Sequence, residues 1–450
     1  MNQAANSRVS FPTTQRRCRH LSARGNYAKR ESQTNHGHGG LTADGSSAAL
    51  RHDGTDLHSP RPPRSVTVHE SGPTTGVQHA DAVPAFRDSV LLLEHNDGAI
   101  DALITTTREV KTFRPTSTCT ALLPAIDGLR STSDLVEALT SDGHERQDVL
   151  DVLTVLERER LVVDRSTTSL VAAHPLRDRR DRFLAEGALN PAAGWPASSA
   201  DMRGRLETTS VAVLGTGGLG TWIARSLAGL GVGELILIDA DVVEEQNLAH
   251  QVVFTRDDIG RAKVESLRDR LESLFPDVSV RAERRFVETA DQLTTVVDGA
   301  AFVTTAANTP TANAVARLVS TACLPLGIPH NVGAGYSHDL GTVGLTVLPG
   351  VTACWECLQS SLSDPVFDAT RVLRPARSPV GMVPMVAGIL ANLVAWDVFR
   401  VVTGATPVLA GAITEISLSR LEFSARPVIP NPSCPCGAAT LKESTDGTRS

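Results

Sequence analysis

A glycine-rich turn, Gly215-Thr-Gly-Gly-Leu-Gly220, follows an apolar run at 211–214 and opens an apolar-faced helical stretch at 219–230. This is the setting in which such a turn cradles phosphate. Gly215 permits the tight turn, Gly217 lets an anion approach the backbone, and Gly220 allows close packing of helix on strand. Amide groups at Gly217 and Gly218, where the helix starts, then face the anion. Asp239 ends the next apolar run, 19 residues past Gly220, where a carboxylate accepts hydrogen bonds from ribose hydroxyls; a solvated acid at a strand end is the alternative. By these features alone an NAD enzyme fits as well as an ATP enzyme.

Two cysteine doublets add a second chemistry. Cys354-x-x-Cys357 and Cys434-x-Cys436 take four of the seven cysteines, and four thiolates close a tetrahedral zinc site of the structural kind, leaving no position for water. Reduced buried thiols are the other reading of the same doublets. Tight pairs point to metal binding in a reducing compartment, hence the cytoplasm. Cys119 and Cys323 read as ordinary buried cysteines. Lysine occurs only four times against 39 arginines, so Lys263, inside a motif, stands out. A compact ammonium on a flexible stem suits a phosphate charge that moves.

Elements that position these groups follow from periodicity. Apolar runs at 211–214, 235–238, 278–282 and 301–305 read as strands, with helices at 219–230 and 262–274 between them. That alternation gives an α/β fold with a doubly wound, mostly parallel, Rossmann-like sheet. Residues 1–85 carry no apolar period and read as disordered, as does the tail at 441–450. Residues 86–165 combine a hairpin (89–94 and 102–105 around Asn96-Asp97-Gly98), three helices near 121–126, 132–139 and 147–157, and a closing strand at 161–163, a small winged-helix unit. Segment 166–209 reads as a linker with an arginine-bearing helix, and 210–440 as the nucleotide-binding domain.

The net charge of −7 gives no global attraction to nucleic acid. No uninterrupted run of 18 apolar residues occurs; the nearest candidate, 383–402, carries Pro384, Asn392, Asp397 and Arg400 and reads as a buried helix, so neither nucleic acid nor membrane is an expected partner.

From about 177 to 437 the chain resembles the ThiF/MoeB family, relatives of ubiquitin-activating enzymes. The resemblance rests on Arg179-Arg-Asp-Arg-Phe, the glycine turn, Asp239-Ala-Asp-Val-Val-Glu-Glu-Gln-Asn-Leu, Gly260-Arg-Ala-Lys-Val-Glu265, Cys354-Trp-Glu-Cys and Asn431-Pro-Ser-Cys-Pro-Cys-Gly437. It implies that Asp239 holds ribose, Asn247 lies beside the phosphates, and Lys263 reaches the outer phosphates of ATP. It further implies that Arg182 crosses into the ATP site of a second subunit, which requires a homodimer; a solvated charge run over 177–182 is the plain alternative.

Three departures from the family pattern stand out. The acid expected before Asn308 is Ala307, which weakens the Mg2+ site, with Asp239 or Asp241 left to compensate. The arginine expected three residues after Asn247 is His250, whose charge is lost near neutral pH. The loop that carries a cysteine in sulfur-transfer members reads Pro375-Ala-Arg-Ser-Pro379, so no thioester forms there.

Residues 86–165 resemble the PqqD-like leader-peptide recognition element, through Leu122-Leu-Pro-Ala-Ile-Asp-Gly-Leu-Arg-Ser-Thr132 and Val152-Leu-Thr-Val-Leu-Glu-Arg-Glu-Arg-Leu-Val162. A generic winged helix, for DNA, is the alternative, but basic residues are not concentrated on its recognition helix. Together the resemblances imply an adenylyltransferase that binds a precursor peptide by its leader, as an added strand on the hairpin edge, and activates a peptide carboxylate. The competing expectation is a catalytically degenerate scaffold that delivers the peptide to a YcaO-type cyclodehydratase. An NAD oxidoreductase leaves Lys263 and the cysteine doublets unexplained.

Overall fold

The computed structural model describes residues 76–166, 175–362, 381 and 383–438. The expected disordered start up to residue 75, the loop at 375–379 and the tail at 441–450 lie outside the described residues. The chain divides into two compact units, one ending at Asp164 and the other beginning at Arg165.

In the first unit β1 (Pro84–Phe86), β2 (Val90–Glu94), β3 (Ile100–Ile104) and β4 (Glu109–Phe113) precede α1 (Ser117–Leu122), α2 (Thr132–Ser141), α3 (Arg146–Arg158) and β5 (Val162–Asp164). The hairpin turns at Gly98, in the left-handed region at φ 76°, which glycine enters without a Cβ clash. Ile100, Ala102 and Ile104 alternate inward along β3, the two-residue period of a half-buried strand. Ser131 caps α2, taking the Asp134 amide while Asp134 returns a bond to the Ser131 amide, the reciprocal box that satisfies two end donors. Val149, Val152, Leu153 and Leu156 of α3 fill the core with Leu122, Leu135 and Leu161.

Three features differ from the sequence expectation. The hairpin gains a third strand, β4, antiparallel to β3. The closing strand β5 pairs with β1 and not with the hairpin, a long-range pairing that no local pattern announces. Residues 76–85, placed in the disordered start, belong to this unit; Val77 and Ala82 are buried, and Thr132 Oγ1 donates to the Val77 carbonyl at 2.6 Å.

The second unit begins with α4 (Pro175–Ala188) and α5 (Ser199–Thr208), followed by β6 (Ser210–Leu214), α6 (Gly218–Leu230), β7 (Glu234–Ile238), α7 (Lys263–Leu274), β8 (Ser279–Glu283), α8 (Ala290–Val297), β9 (Phe302–Thr305), α9 (Ala312–Cys323) and β10 (His330–Val332). Then come β11 (Gly335–Ser337), β12 (Leu340–Val347), α10 (Trp355–Leu362), α11 (Pro384–Thr403), β13 (Ala412–Ser417) and β14 (Glu422–Pro427). Strands β10, β9, β6, β7 and β8 lie parallel in that order. An antiparallel extension, β12-β13-β14 with β11 beside β12, completes a nine-stranded sheet. Parallel strands covered on both faces must be apolar throughout, and β6, β7 and β9 are buried almost end to end. Helices α4 and α5 join the main core, where Leu184, Met202 and Leu206 are fully buried.

Helix α11 packs against α6 and β12. It carries two interior charges: Asp397 Oδ1 accepts the amides of Val408 and Leu409 at 2.6 and 3.0 Å while its Oδ2 is buried without a partner, and the Arg400 guanidinium donates to the Ala193 carbonyl at 2.9 Å and lies 4.8 Å from the Trp195 ring centroid.

Candidate active site

Chain order runs outward from β6 to β7 and β8 on one side, and from β9 to β10 on the other. Ligands of open α/β sheets bind at such a reversal, outside the carboxyl ends of the strands. A cavity of about 1200 Å³ opens there, against the ends of β6 and β9.

The glycine turn forms its near wall. Gly215 has φ 91°, and a Cβ on it would stand 2.7 Å from the Ala307 amide nitrogen. A Cβ on Gly220 would overlap the Gly215 carbonyl oxygen, so this glycine sets the packing of helix on turn without lining the cavity. Gly217 differs, because a Cβ there would meet nothing closer than Gln251 Nε2 at 3.9 Å. Gly217, Gly218 and Leu219 line the cavity and no side chain caps α6, so its first amides are left for a ligand, with the helix dipole adding partial positive charge.

Asp239 pins this turn. Its Oδ2 accepts from the Thr216 amide at 2.7 Å and the Thr216 hydroxyl at 3.0 Å, and its Oδ1 accepts from the Asp241 amide at 2.9 Å. A carboxylate offers about four lone-pair positions, so capacity for a ribose hydroxyl remains. Lys263, at the first position of α7, is 6% exposed. Its amide donates to the Asp241 carbonyl at 2.9 Å, and its Nζ lies 2.8 Å from Asp241 Oδ2. An antiparallel bridge between Val242 and Ala262 holds the two segments together.

Gly215, Gly217, Gly218, Asp239, Asp241, Lys263 and Asn308 thus line one cavity. Asn247 does not line it: this buried residue accepts the Glu244 amide on Oδ1 at 2.9 Å. Arg182 also lies outside the cavity of its own chain, where it is exposed on α4 and paired with Asp178 one turn back at 3.0 Å. Its neighbour Arg180 is the buried member of that run, tying α4 to Glu207 of α5 and to the Leu230 carbonyl. His250 lines the cavity, and burial together with the Lys263 charge pushes its pKa below the usual value. The imidazole is accordingly neutral at pH 7.

Gln251, Tyr336, Arg285 and Arg317 also line the cavity, and the sequence reading passed over them. Gln251 follows His250 directly and was within reach of the motif; Tyr336 arrives on β11, an element with no local signal of its own.

The cysteines meet in the second apolar core, beside Ala353, Trp355 and Leu358. Sγ of Cys354 lies 3.9 Å from that of Cys357 and 3.5 Å from that of Cys434, and Cys357 Sγ lies 3.7 Å from that of Cys436. Four sulfurs at about 2.3 Å from zinc stand about 3.8 Å apart in a tetrahedron, so the cluster has the dimensions of a four-thiolate zinc site. All four lie within 4.8 Å of one another. Zinc there would fasten the segment after β14 to α10. Cys119 and Cys323 are buried at 3% and 0% exposure, and burial pushes their thiols up to about 11 and about 12, which leaves them inert.

The model of the ThiF family matches residues 189–436. The chain belongs to the ThiF family. Among ThiF-family relatives, the SAMP-activating enzyme E1 of Haloferax volcanii is 31% identical over 236 residues, 52% of this chain and 83% of that protein. The sulfur carrier protein adenylyltransferase of Thermus thermophilus is 30% identical over 238 residues, 52% and 84% of the two chains. Escherichia coli MccB, solved with MccA, superposes with a TM-score of 0.60 at 18% identity over 79% of this chain and 99% of its own, which shows a shared fold. The ThiF-family relatives include adenylyltransferases, the nucleotidyltransferase class.

Proposed function

We propose that this chain is a cytoplasmic, ATP-dependent adenylyltransferase that activates a carboxylate of a ribosomally made precursor peptide. The observation that carries the reading is the convergence, at one cavity, of open α6 amides, the ribose-side carboxylate of Asp239 and the buried ammonium of Lys263. The fit to a nucleotide is supported by two further buried polar atoms without a protein partner, Gln251 Oε1 and Tyr336 Oη, in residues that line the same cavity.

In this reading the α6 amides and Lys263 hold the triphosphate while a peptide carboxylate oxygen attacks the α-phosphorus. The bond to the bridging oxygen breaks, leaving an acyl-adenylate and pyrophosphate. Positioning and charge neutralisation carry such a step, with no protein base required. With Ala307 in place of an acid, Asp241, whose side chain is 69% exposed, and Asp239 are the carboxylates left to hold Mg2+. Arg182 of a second copy would complete the cation set in a homodimer.

The first unit is the proposed leader-binding, PqqD-like element. Its β2-β3-β4 sheet keeps Leu91, Leu93 and Val110 about half exposed, and its outer strands β2 and β4 pair with no further strand among the described residues, which suits an added strand. The fold likeness to MccB, a microcin C7 biosynthetic enzyme solved in complex with N-formylated MccA, supports a peptide partner. Ala307 and the neutral His250 favour a second reading, a catalytically silent scaffold that presents the peptide to a YcaO-type enzyme.

Exchange of labelled pyrophosphate into ATP separates the two. Peptide-dependent exchange that disappears in Lys263→Ala supports the enzyme. Peptide binding without exchange supports the scaffold.

A further inference from the structure

We propose that Tyr336 is a phosphate-contacting residue of the nucleotide site, its hydroxyl donating to the anionic group seated on the first amides of α6. The proposal rests on the adenylyltransferase reading and adds a residue to it. Tyr336 Oη lies 3.7 Å from the position a Cβ on Gly218 would take, so it stands over the first turn of α6. It is inaccessible and has no hydrogen-bond partner in the protein, although a buried hydroxyl left unpaired is costly. Gln251, 3% exposed and with Oε1 also unpartnered, reaches the adjacent residue Gly217 from another element. An orphaned hydroxyl donor therefore stands over the first turn of a helix that no side chain caps, with the Gln251 amide nitrogen beside it.

Charge at this spot explains what a tyrosine contributes. His250 Cδ2 lies 3.0 Å from the same Gly218 position, and the imidazole is held neutral by burial and by Lys263. Burial raises the Tyr336 phenol above its ordinary value, so the group stays protonated and acts as a donor. A neutral O–H with no acceptor in the protein suits a phosphate oxygen.

The chain has two tyrosines, Tyr27 and Tyr336, which makes the test direct. Full-length protein labelled with 3-fluorotyrosine gives two fluorine signals, and Tyr336→Phe assigns them. Saturation with ATP or AMP, verified by calorimetry, should shift the Tyr336 signal, while adenosine should leave it in place. Tyr336→Phe should bind ATP about ten-fold more weakly, as for loss of one hydrogen bond to a charged acceptor, with its thermal midpoint without nucleotide unchanged. A signal that stays put when calorimetry shows ATP bound, an equal shift with adenosine, or wild-type ATP affinity in the phenylalanine variant overturns the proposal and leaves ATP binding standing. Absence of ATP binding in the wild-type protein overturns both.

Discussion

Lys263 is joined to Asp241 twice, through Nζ to Oδ2 at 2.8 Å and through its own amide to the Asp241 carbonyl at 2.9 Å. The second bond fixes where α7 starts, and the first aims the ammonium along the cavity wall. Lys263→Ala removes only the ammonium and its stem. Pyrophosphate exchange should fall by about 100-fold or more, the order of effect for one preorganised charge on a transferring phosphoryl group, with circular dichroism unchanged. Exchange within a few-fold of wild type would remove Lys263 from the chemistry.

Gly217 and Gly220 should separate binding from folding. A Cβ on Gly220 would overlap the Gly215 carbonyl, whereas one on Gly217 meets open space. Gly220→Ala is expected to lose about 3 kcal/mol or more, as strained backbone contacts do, seen as a lowered denaturation midpoint. Gly217→Ala should keep the wild-type midpoint and lose ATP affinity in calorimetry. Equal midpoints for the two variants would contradict this geometry.

Metal removal should act on stability before it acts on turnover. The four sulfurs join segments 80 residues apart in sequence, as in the Cys354 to Cys434 contact, so a zinc ion would fasten α10 to the segment after β14. Treatment with a chelator, or Cys357→Ser, is expected to lower the thermal midpoint, and metal analysis should find one zinc per chain in untreated protein. Metal-free protein with an unchanged midpoint would make the cluster a set of plain buried thiols.

His330 gives the fold an acid limit. The ring is fully buried, with Nε2 3.1 Å from Ser320 Oγ and Nδ1 2.9 Å from the Ile328 carbonyl, and burial pushes its pKa from 6.5 down to about 4. Between those values the unfolded chain takes up a proton that the folded chain refuses. The stabilising contribution is therefore complete above pH 6.5 and shrinks as pH falls toward 4, by about 3 kcal/mol in all. Urea denaturation across that range should show the decline, and His330→Gln should flatten it. An unchanged slope in the variant would assign the decline to other groups.

Much of the second unit was legible because its signals are local. The β6 to α6 turn needs glycine at fixed offsets, and the parallel strands need uninterrupted apolar runs; both can be read within a few residues of Gly215 and Asp239. The cysteine doublets were legible because thiolates so closely spaced have few other uses. Asn247 was expected beside the phosphates from its motif; the structure shows its Oδ1 accepting the Glu244 amide and the residue outside the cavity lining, since a motif records neighbours in sequence and not the direction of a side chain. The pairing of β5 with β1 was hidden in the same way, since Phe86 and Val162 meet across the whole first unit.

Residue types and spacing were enough to specify the α/β class, the glycine turn between β6 and α6, and the four thiols that come together with the dimensions of a zinc site, since each depends on backbone sterics or ligand chemistry within a short stretch. Which polar groups share the cavity depended on how β6, β9 and β11 assemble. Tyr336 reaches Gly218, and Ala307 abuts Gly215, only because the sheet brings distant strand ends to one crevice. Such neighbours are set by packing across the sheet, a long-range condition that no window of sequence contains.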